Sequence, residues 1–136
     1  MNREIKFRGK RIDNNEWVYG YLVKSEDYIF DYSERIDIPY IIPFNNFNLK
    51  DYGEYRVEEK TIGQFTGLYD KKNVPIYEGD IVKSPYANDN SLYIITYWKC
   101  GFMLQGKKSG NYYDFIGDLL GYLEVIGNIF DNKEDI

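Results

Sequence analysis

The sequence predicts a small, mostly β protein, and three observations support this prediction. Aromatic residues make up 18% of the 136 residues, with 15 Tyr and 8 Phe, and such side chains suit a half-buried pleated sheet. Several segments alternate polar and apolar residues, which is the period of a strand with one buried face. Clusters of Asn, Asp, Gly and Pro separate these segments, as in small barrels and sandwiches. The length fits one domain or two closely joined half-domains.

The first predicted element is a β-hairpin. Residues 4–8 alternate polar and apolar side chains, which predicts a strand. Residues 13–15 are Asp-Asn-Asn, a composition that favours a turn, and residues 17–23 supply the return strand.

Two further extended segments are predicted at residues 28–30 and 36–44. The second contains Pro39 and Pro43. Because proline donates no hydrogen bond to a neighbouring strand, we expect an edge strand or a wrapped extended segment there. Residues 45–53 are polar and predict a loop.

A strand is predicted within residues 76–83, and it is entered through a turn at Glu78-Gly79-Asp80. Glycine permits positive φ, and the aspartate side chain bonds nearby backbone amides. An acid pair at Glu78 and Asp80 is the alternative interpretation of this segment.

The strongest predicted strand is residues 92–98, which are apolar on both faces and should be central. A turn at 99–101 connects it to a partner strand at 102–105. Residues 113–122 repeat apolar side chains at three- and four-residue steps and predict a short helix. Residues 124–130 predict a closing strand.

The composition excludes several kinds of active site. Histidine is absent and Cys100 is the single cysteine. Nucleophilic Ser–His and Cys–His pairs within one chain are therefore excluded, and so are a thiolate zinc site and an internal disulfide. Cys100 falls at a predicted turn and is interpreted as an ordinary turn residue. No glycine-rich phosphate loop is present, and we expect no metal and no cofactor.

Charge is unevenly distributed. The net charge is −5, but residues 1–11 contain five basic residues and one acidic residue. Non-specific binding to duplex nucleic acid is not expected of an acidic chain, although Lys6 and Arg8 could contact a polyanion instead of simply facing solvent. No signal peptide and no membrane-spanning apolar run are seen, so we expect a soluble, cytoplasmic protein without membrane contact.

Carboxylates offer one remaining catalytic hypothesis. Glu58, Glu59 and Lys60 have the acidic-x-Lys spacing of many restriction-type nucleases, with Asp37 and Asp51 as upstream candidates. In that chemistry, carboxylates hold a metal that activates water, and lysine stabilises developing charge. The alternative is a solvated strand end.

The aromatic excess suggests a binding surface. Exposed aromatic side chains on a small β domain can stack on nucleobases or grip a peptide. Tyr93, Tyr97, Tyr112 and Tyr113 are the candidates, while most other aromatic side chains are expected in the core.

Three segments of the chain resemble the YopX family of phage and prophage proteins. The first is REIKFR at residues 3–8, followed by WVYG at 17–20. The second is TIGQFTGLYDK at 61–71, which continues into IYEGDIV at 76–82. The third is EVIGNIF at 124–130.

The resemblance implies a small SH3-like β-barrel at residues 61–131, an N-terminal β extension at 1–60 and a frayed tail at 132–136. It also implies a phage or prophage origin in a bacterial cytoplasm, and it implies no activity. The family-signature residues are expected to be structural: Gly63, Gln64, Phe65, Thr66, Gly67, Tyr77, Glu78, Gly79, Asp80, Ile126, Gly127 and Asn128.

Three functions remain open from the sequence. The leading hypothesis is a non-enzymatic binding module for a host or phage protein, with single-stranded nucleic acid as a less favoured partner. The second is a carboxylate–metal nuclease that uses Glu58, Glu59 and Lys60. The third is a homo-oligomeric assembly protein that pairs through exposed strand edges near Pro39 and Pro43.

Overall fold

The computed structural model describes residues 4–29, 34–44, 55–84, 92–113 and 122–131. The chain divides into two compact units, residues 2–64 and 65–136. The predicted boundary between residues 60 and 61 stays a prediction. Within the described part of the chain, no helix has the length and apolar character needed to cross a membrane.

The first unit contains three strands, a short 3-10 turn and the start of a fourth strand: β1 Phe7–Lys10, β2 Trp17–Ile29, β3 Glu34–Pro43, the turn Glu59–Thr61, and β4 Gly63–Tyr69, which continues into the second unit. All pairings are antiparallel, in the order β3-β2-β1-β4. A hairpin is present as predicted, since Phe7 pairs with Gly20 and Lys10 pairs with Trp17, but its first strand begins at Phe7 rather than at residue 4.

One core cluster of the first unit lies on one face of this sheet, while Ile38 and Ile42 are buried on the other face. Val18, Ile41 and Val57 are buried in this cluster, and partly buried apolar residues surround them: Phe7, Leu22, Tyr55 and Ile62. Gly9 is needed for close packing, because a Cβ at this position would lie 3.0 Å from Cβ of Val57.

Strand β3 forms one end of the sheet order, as the prolines predicted. Its outer edge is covered over a short stretch, because Tyr40 forms a bridge with Arg56 and the Val57 amide donates to the Pro39 carbonyl at 3.2 Å. Val57 also bridges to Arg11. The β3 edge near Pro39 is therefore occupied by residues of the same unit.

The second unit contains six further strands: β5 Pro75–Tyr77, β6 Asp80–Lys83, β7 Leu92–Trp98, β8 Gly101–Gly106, β9 Tyr112–Tyr113 and β10 Glu124–Asn128. Strand β5 pairs with the later part of β4, and the other five form a sheet in the order β10-β6-β7-β8-β9. β7 is thus central, as its two apolar faces predicted. Its partner β8 follows a turn at Lys99 and Cys100, and Trp98 pairs with Gly101.

The core of the second unit is formed by side chains of this sheet and of strand β5. Five side chains form the buried cluster: Ile76, Val82, Ile95, Leu104 and Leu123. Four of them come from the strands β5, β6, β7 and β8, one from each, and Leu123 directly precedes β10.

The mostly β prediction is confirmed, but the SH3-like barrel predicted for residues 61–131 is not. The described strands form two antiparallel sheets that are not closed into a barrel. In the second sheet, β10 and β9 lie at opposite ends and no ladder among the described residues joins them. The helix predicted at residues 113–122 falls largely on residues 114–121, which lie outside the described residues. Tyr113 itself belongs to β9.

Candidate functional site

An exposed row of apolar side chains runs along β2. Tyr19, Tyr21 and Val23 alternate with the core residues of the same strand, so they share the opposite face of the sheet. The ring of Phe44, just after β3, meets Tyr21 edge-on at a centroid distance of 4.5 Å. These four residues are between 40 and 51% exposed. We call Tyr19, Tyr21, Val23 and Phe44 the apolar strip.

Basic side chains flank the first residues of the strip. Arg8 is opposite Tyr19, and Lys10 is opposite Trp17. The Arg8 guanidinium lies 4.7 Å from the Trp17 ring centroid and the Lys10 ammonium lies 5.5 Å from it. Both cations therefore lie within cation–π range of the indole.

The sequence named Lys6 and Arg8 as surface contacts. Arg8 is only 5% exposed, which does not suit a role as a surface contact. Lys6 is partly buried and forms an ion pair with Glu4 at 3.5 Å.

A second aromatic feature lies in the second unit. The rings of Trp98 at the end of β7 and Tyr112 in β9 are stacked, with centroids 4.4 Å apart and planes 14° apart. Both are exposed, at 42 and 37%. Gly101 pairs with Trp98, and a Cβ built on Gly101 would meet nothing within 4 Å. We call Trp98 and Tyr112 the aromatic pair.

The other tyrosines named from the sequence lie on β7 and β9 but are not part of this pair. Tyr93 is partly buried against the core of the second unit and meets Tyr113 edge-on at 5.7 Å. Tyr97 is exposed, alternates with Trp98 along β7, and meets Phe102 edge-on at 5.2 Å. The structure therefore brings Tyr93 and Tyr113 together, whereas Tyr97 contacts Phe102 instead.

The proposed nuclease residues take part in two separate ion pairs. Lys60 forms an ion pair with Glu58 at 3.1 Å, and Glu59 forms one with Lys24 at 3.6 Å. Among the described residues no group of three or more His, Cys, Asp or Glu side chains could hold a metal. Asp51 lies outside the described residues. Cys100 is exposed in the β7–β8 turn.

The Glu78-Gly79-Asp80 segment forms the turn between β5 and β6. Gly79 has φ of +92°, a conformation that glycine adopts without strain. The Asp80 carboxylate accepts a hydrogen bond from the Tyr77 amide at 2.8 Å. The Gly79 amide donates a hydrogen bond to the Ile95 carbonyl, and the Gly79 carbonyl accepts one from the Ile129 amide. The turn thus connects the central strand to the segment that follows β10.

The family-signature residues of β4 lie where the pairing of that strand is irregular. The register between β4 and β5 shifts between Phe65 and Tyr69, where Gly67 has φ of +87°. The Thr66 hydroxyl donates to the Ile76 carbonyl at 2.8 Å. Gly63 and Gln64 pair with β1, and the buried rings of Phe65 and Tyr77 lie 5.5 Å apart.

The third signature segment contains a bulge and a turn. The register of β10 against β6 shifts between Val125 and Gly127, so Ile126 is exposed. The Asn128 side-chain oxygen accepts hydrogen bonds from the amides of Phe130 and Asp131, at 3.0 and 2.9 Å. These contacts give the Ile126, Gly127 and Asn128 positions local backbone roles.

Comparison with known proteins identifies the family. The family model described as YopX protein matches residues 6–136. The chain belongs to the YopX family. The relationship inferred from the three sequence segments is thereby confirmed. None of the curated proteins matches this YopX chain.

The YopX chain is also similar to a solved structure. The crystal structure of protein EF1440 from Enterococcus faecalis matches it with 23% sequence identity and a TM-score of 0.55, over 98% of each chain. At this level of identity, the similarity supports the fold over the whole length of the chain.

Sequence reasoning missed two groups of residues in this YopX chain. It did not name Trp98, although Thr96 and Trp98 share the face opposite the core. It also did not name the apolar strip, because Trp17 to Val23 is apolar at nearly every position and period two cannot then separate inside from outside. The alternation of the small Gly20 with large neighbours was the available signal.

Proposed function

We propose that this member of the YopX family is a non-enzymatic binding module for a protein partner, and that the apolar strip makes the contact. The observation that supports this is the continuous exposed row of Tyr19, Tyr21 and Val23, extended by Phe44. Exposed apolar groups in a row, rather than scattered, mark interaction sites. Tyrosine and phenylalanine are enriched in the cores of protein interfaces.

The strip residues of β2 are paired with neighbouring strands, which favours binding. Tyr21 and Val23 pair with Ile42 and Tyr40 of β3, and Tyr19 pairs with Arg8 of β1. A partner would therefore meet side chains whose backbone is already paired with a neighbouring strand. Less conformational entropy is lost on binding when a surface is ordered beforehand.

The setting of this function is part of the proposal. The sequence segments shared with the YopX family are typical of phage and prophage proteins, so the partner is a host or phage protein in a bacterial cytoplasm. The chain would then act as an accessory protein, by occupying a surface of its partner.

The test is partner capture with variants of the strip. Tagged wild-type protein is incubated with a bacterial host lysate, and bound proteins are identified by mass spectrometry. Tyr21→Lys and the double variant Tyr19→Lys with Tyr21→Lys place charges at the centre of the strip. Ile12→Lys is the matched control, because Ile12 is an exposed apolar residue of the same unit outside the strip.

The expected result is one partner that the wild type and Ile12→Lys both retain and the strip variants lose. A partner retained by both strip variants, or no partner that depends on the protein, would overturn the proposal. Light scattering measures self-association. If the wild type is a dimer and Tyr21→Lys is a monomer, the strip binds a second copy of the chain, and this result would also overturn the proposal.

A further inference from the structure

The segment that carries the aromatic pair is basic in an otherwise acidic chain. Residues 92–113 contain three lysines, Lys99, Lys107 and Lys108, and no aspartate or glutamate, whereas the whole chain has a net charge of −5. The β7–β8–β9 segment therefore has a net positive charge of its own, which favours an anionic partner.

The lysines lie at both ends of strand β8. Lys99 is in the turn before β8, with its ammonium 5.8 Å from the Trp98 ring centroid. Lys107 and Lys108 follow Gly106 at the other end, in a turn closed by the Gly110 amide and the Gly106 carbonyl at 2.8 Å. The two turns are separated by about 17 Å of extended strand at roughly 3.4 Å per residue. Tyr112 pairs with Gln105 of β8, between the two turns.

We infer that the aromatic pair and its flanking lysines bind single-stranded nucleic acid. A base stacks on an outer ring face of the pair, and the phosphates on either side of it approach the two lysine-bearing turns. Base–aromatic stacking combined with a basic track is the general way in which proteins bind single strands without sequence preference. The site is distinct in residues from the apolar strip.

Two features favour a single strand over other anionic partners. The rings of Trp98 and Tyr112 are nearly parallel, and a flat stacked surface is matched by a planar base rather than by a carboxylate side chain. A base inside a duplex is already stacked on both sides and cannot reach these rings unless it is unpaired. Acidic peptides and duplexes are therefore outcomes that the test must separate.

The experiment is a fluorescence-anisotropy titration of the full chain against two labelled probes, oligothymidylate and oligouridylate, at low salt. We expect binding to at least one of them, and preference between them reports whether the 2′-hydroxyl contributes. Trp98→Ala and Tyr112→Ala should each weaken binding by about 5- to 100-fold, as expected when one stacking contact is lost. Trp98→Phe, which keeps a ring, should weaken binding less than Trp98→Ala.

Tyr97→Ala is the matched control, because Tyr97 is an exposed aromatic residue next to Trp98 but outside the pair. Its affinity should stay within about twofold of the wild type, since it removes none of the stacking contacts. Lys107→Gln with Lys108→Gln should reduce the dependence of affinity on salt. A slope of roughly −2 in log affinity against log salt is expected when three lysines contact a single strand.

Three results would overturn the inference: no binding of either probe, equal affinity for a duplex of the same length, or binding that Trp98→Ala and Tyr112→Ala leave unchanged. Full competition by polyglutamate would also overturn it, because it would show a general polyanion surface. The test is independent of the proposed protein contact, since Tyr21→Lys should leave oligonucleotide binding unchanged.

Discussion

The carboxylate of Asp70 accepts a hydrogen bond from the backbone amide of Val125 at 3.0 Å, across 55 residues of sequence. Its other oxygen accepts from the amides of Lys72 and Val74, both at 2.8 Å. One side chain, 6% exposed, thus closes the turn between β4 and β5 and fastens that turn to β10. The Lys71 amide reinforces the connection by donating to the Leu123 carbonyl.

Removing this carboxylate should destabilise the second unit strongly. Asp70→Ala leaves three backbone amides without their acceptor, and we expect a loss of about 3 kcal/mol or more in the free energy of unfolding. Asp70→Asn keeps one oxygen for the turn but presents an amide group to Val125, so an intermediate loss is expected. Urea denaturation measures both variants. Equal stability of Asp70→Ala and the wild type would contradict this role.

Replacing Thr61 tests the hydrogen bonds between the 3-10 turn and β1. The buried hydroxyl accepts from the Lys10 amide at 2.9 Å and donates to the Glu58 carbonyl at 2.6 Å. Thr61→Val keeps the shape but leaves the Lys10 amide unsatisfied, at a cost of about 1–3 kcal/mol. Thr61→Ser keeps the hydroxyl and should cost less than about 1 kcal/mol. Thermal melting of the two variants should give this order, and the reverse order would exclude the hydroxyl as the cause.

Two glycines in strands should respond very differently to substitution by alanine. A Cβ at Gly20 would clash with the carbonyl oxygen of Ile42 on the paired strand β3. Gly20→Ala must therefore push β2 and β3 apart, and we expect a loss of about 3 kcal/mol. Gly101→Ala meets no atom within 4 Å and should change stability by less than about 1 kcal/mol. Chemical denaturation of both variants makes the comparison, and similar losses would argue against the clash.

The ion pairs of Glu124 should make stability depend on pH. Hydrogen bonds from Lys72 and Lys71 lower the pKa of the Glu124 carboxyl below its ordinary value of 4.5. A lowered pKa means that the stabilisation is present at neutral pH and is lost as the pH falls through the folded-state value. Glu124 likewise raises the pKa of Lys72 above 10.5, so that this contribution is lost as the pH rises through the folded-state value.

Glu124→Gln removes both effects. Melting temperatures of the variant and the wild type should differ most at neutral pH and converge in acid, where the wild-type carboxyl is protonated. The difference should be small and should shrink in high salt, since the pair is at the surface. A difference that stays constant from neutral to acid pH would contradict the ion-pair origin.

The sequence predicted the local elements of the fold well. The hairpin of β1 and β2, the edge position of β3 and the central position of β7 all follow from alternation and from proline chemistry. Residues 28 and 29 were predicted as a separate extended segment, but they complete β2, which runs from Trp17 to Ile29. The closing strand was predicted to reach residue 130, whereas β10 ends at Asn128 and the next residues form a turn.

Two features could not be predicted from the sequence: whether the sheets close into a barrel, and which long-range contacts form. Whether strands close into a barrel depends on which edges meet, and local alternation contains no information on that pairing. The Asp70–Val125 hydrogen bond is a further example, since a turn aspartate looks the same in sequence whether or not a distant amide reaches it. Tyr112 was named as a surface residue, but its stacking partner Trp98 depends on the pairing of β8 with β9.

The unequal lengths of β1 and β2 have a consequence for hydrogen exchange. β3 pairs with β2 from Gly20 to Ile29, while the β1 ladder stops at Gly20. The distal part of the β2–β3 hairpin is therefore a two-stranded ribbon among the described residues, and such ribbons open easily in water. Amide protons near Glu26 and Asp37 should exchange through local fraying, whereas those at Gly9 and Val18 should require opening of the whole first sheet.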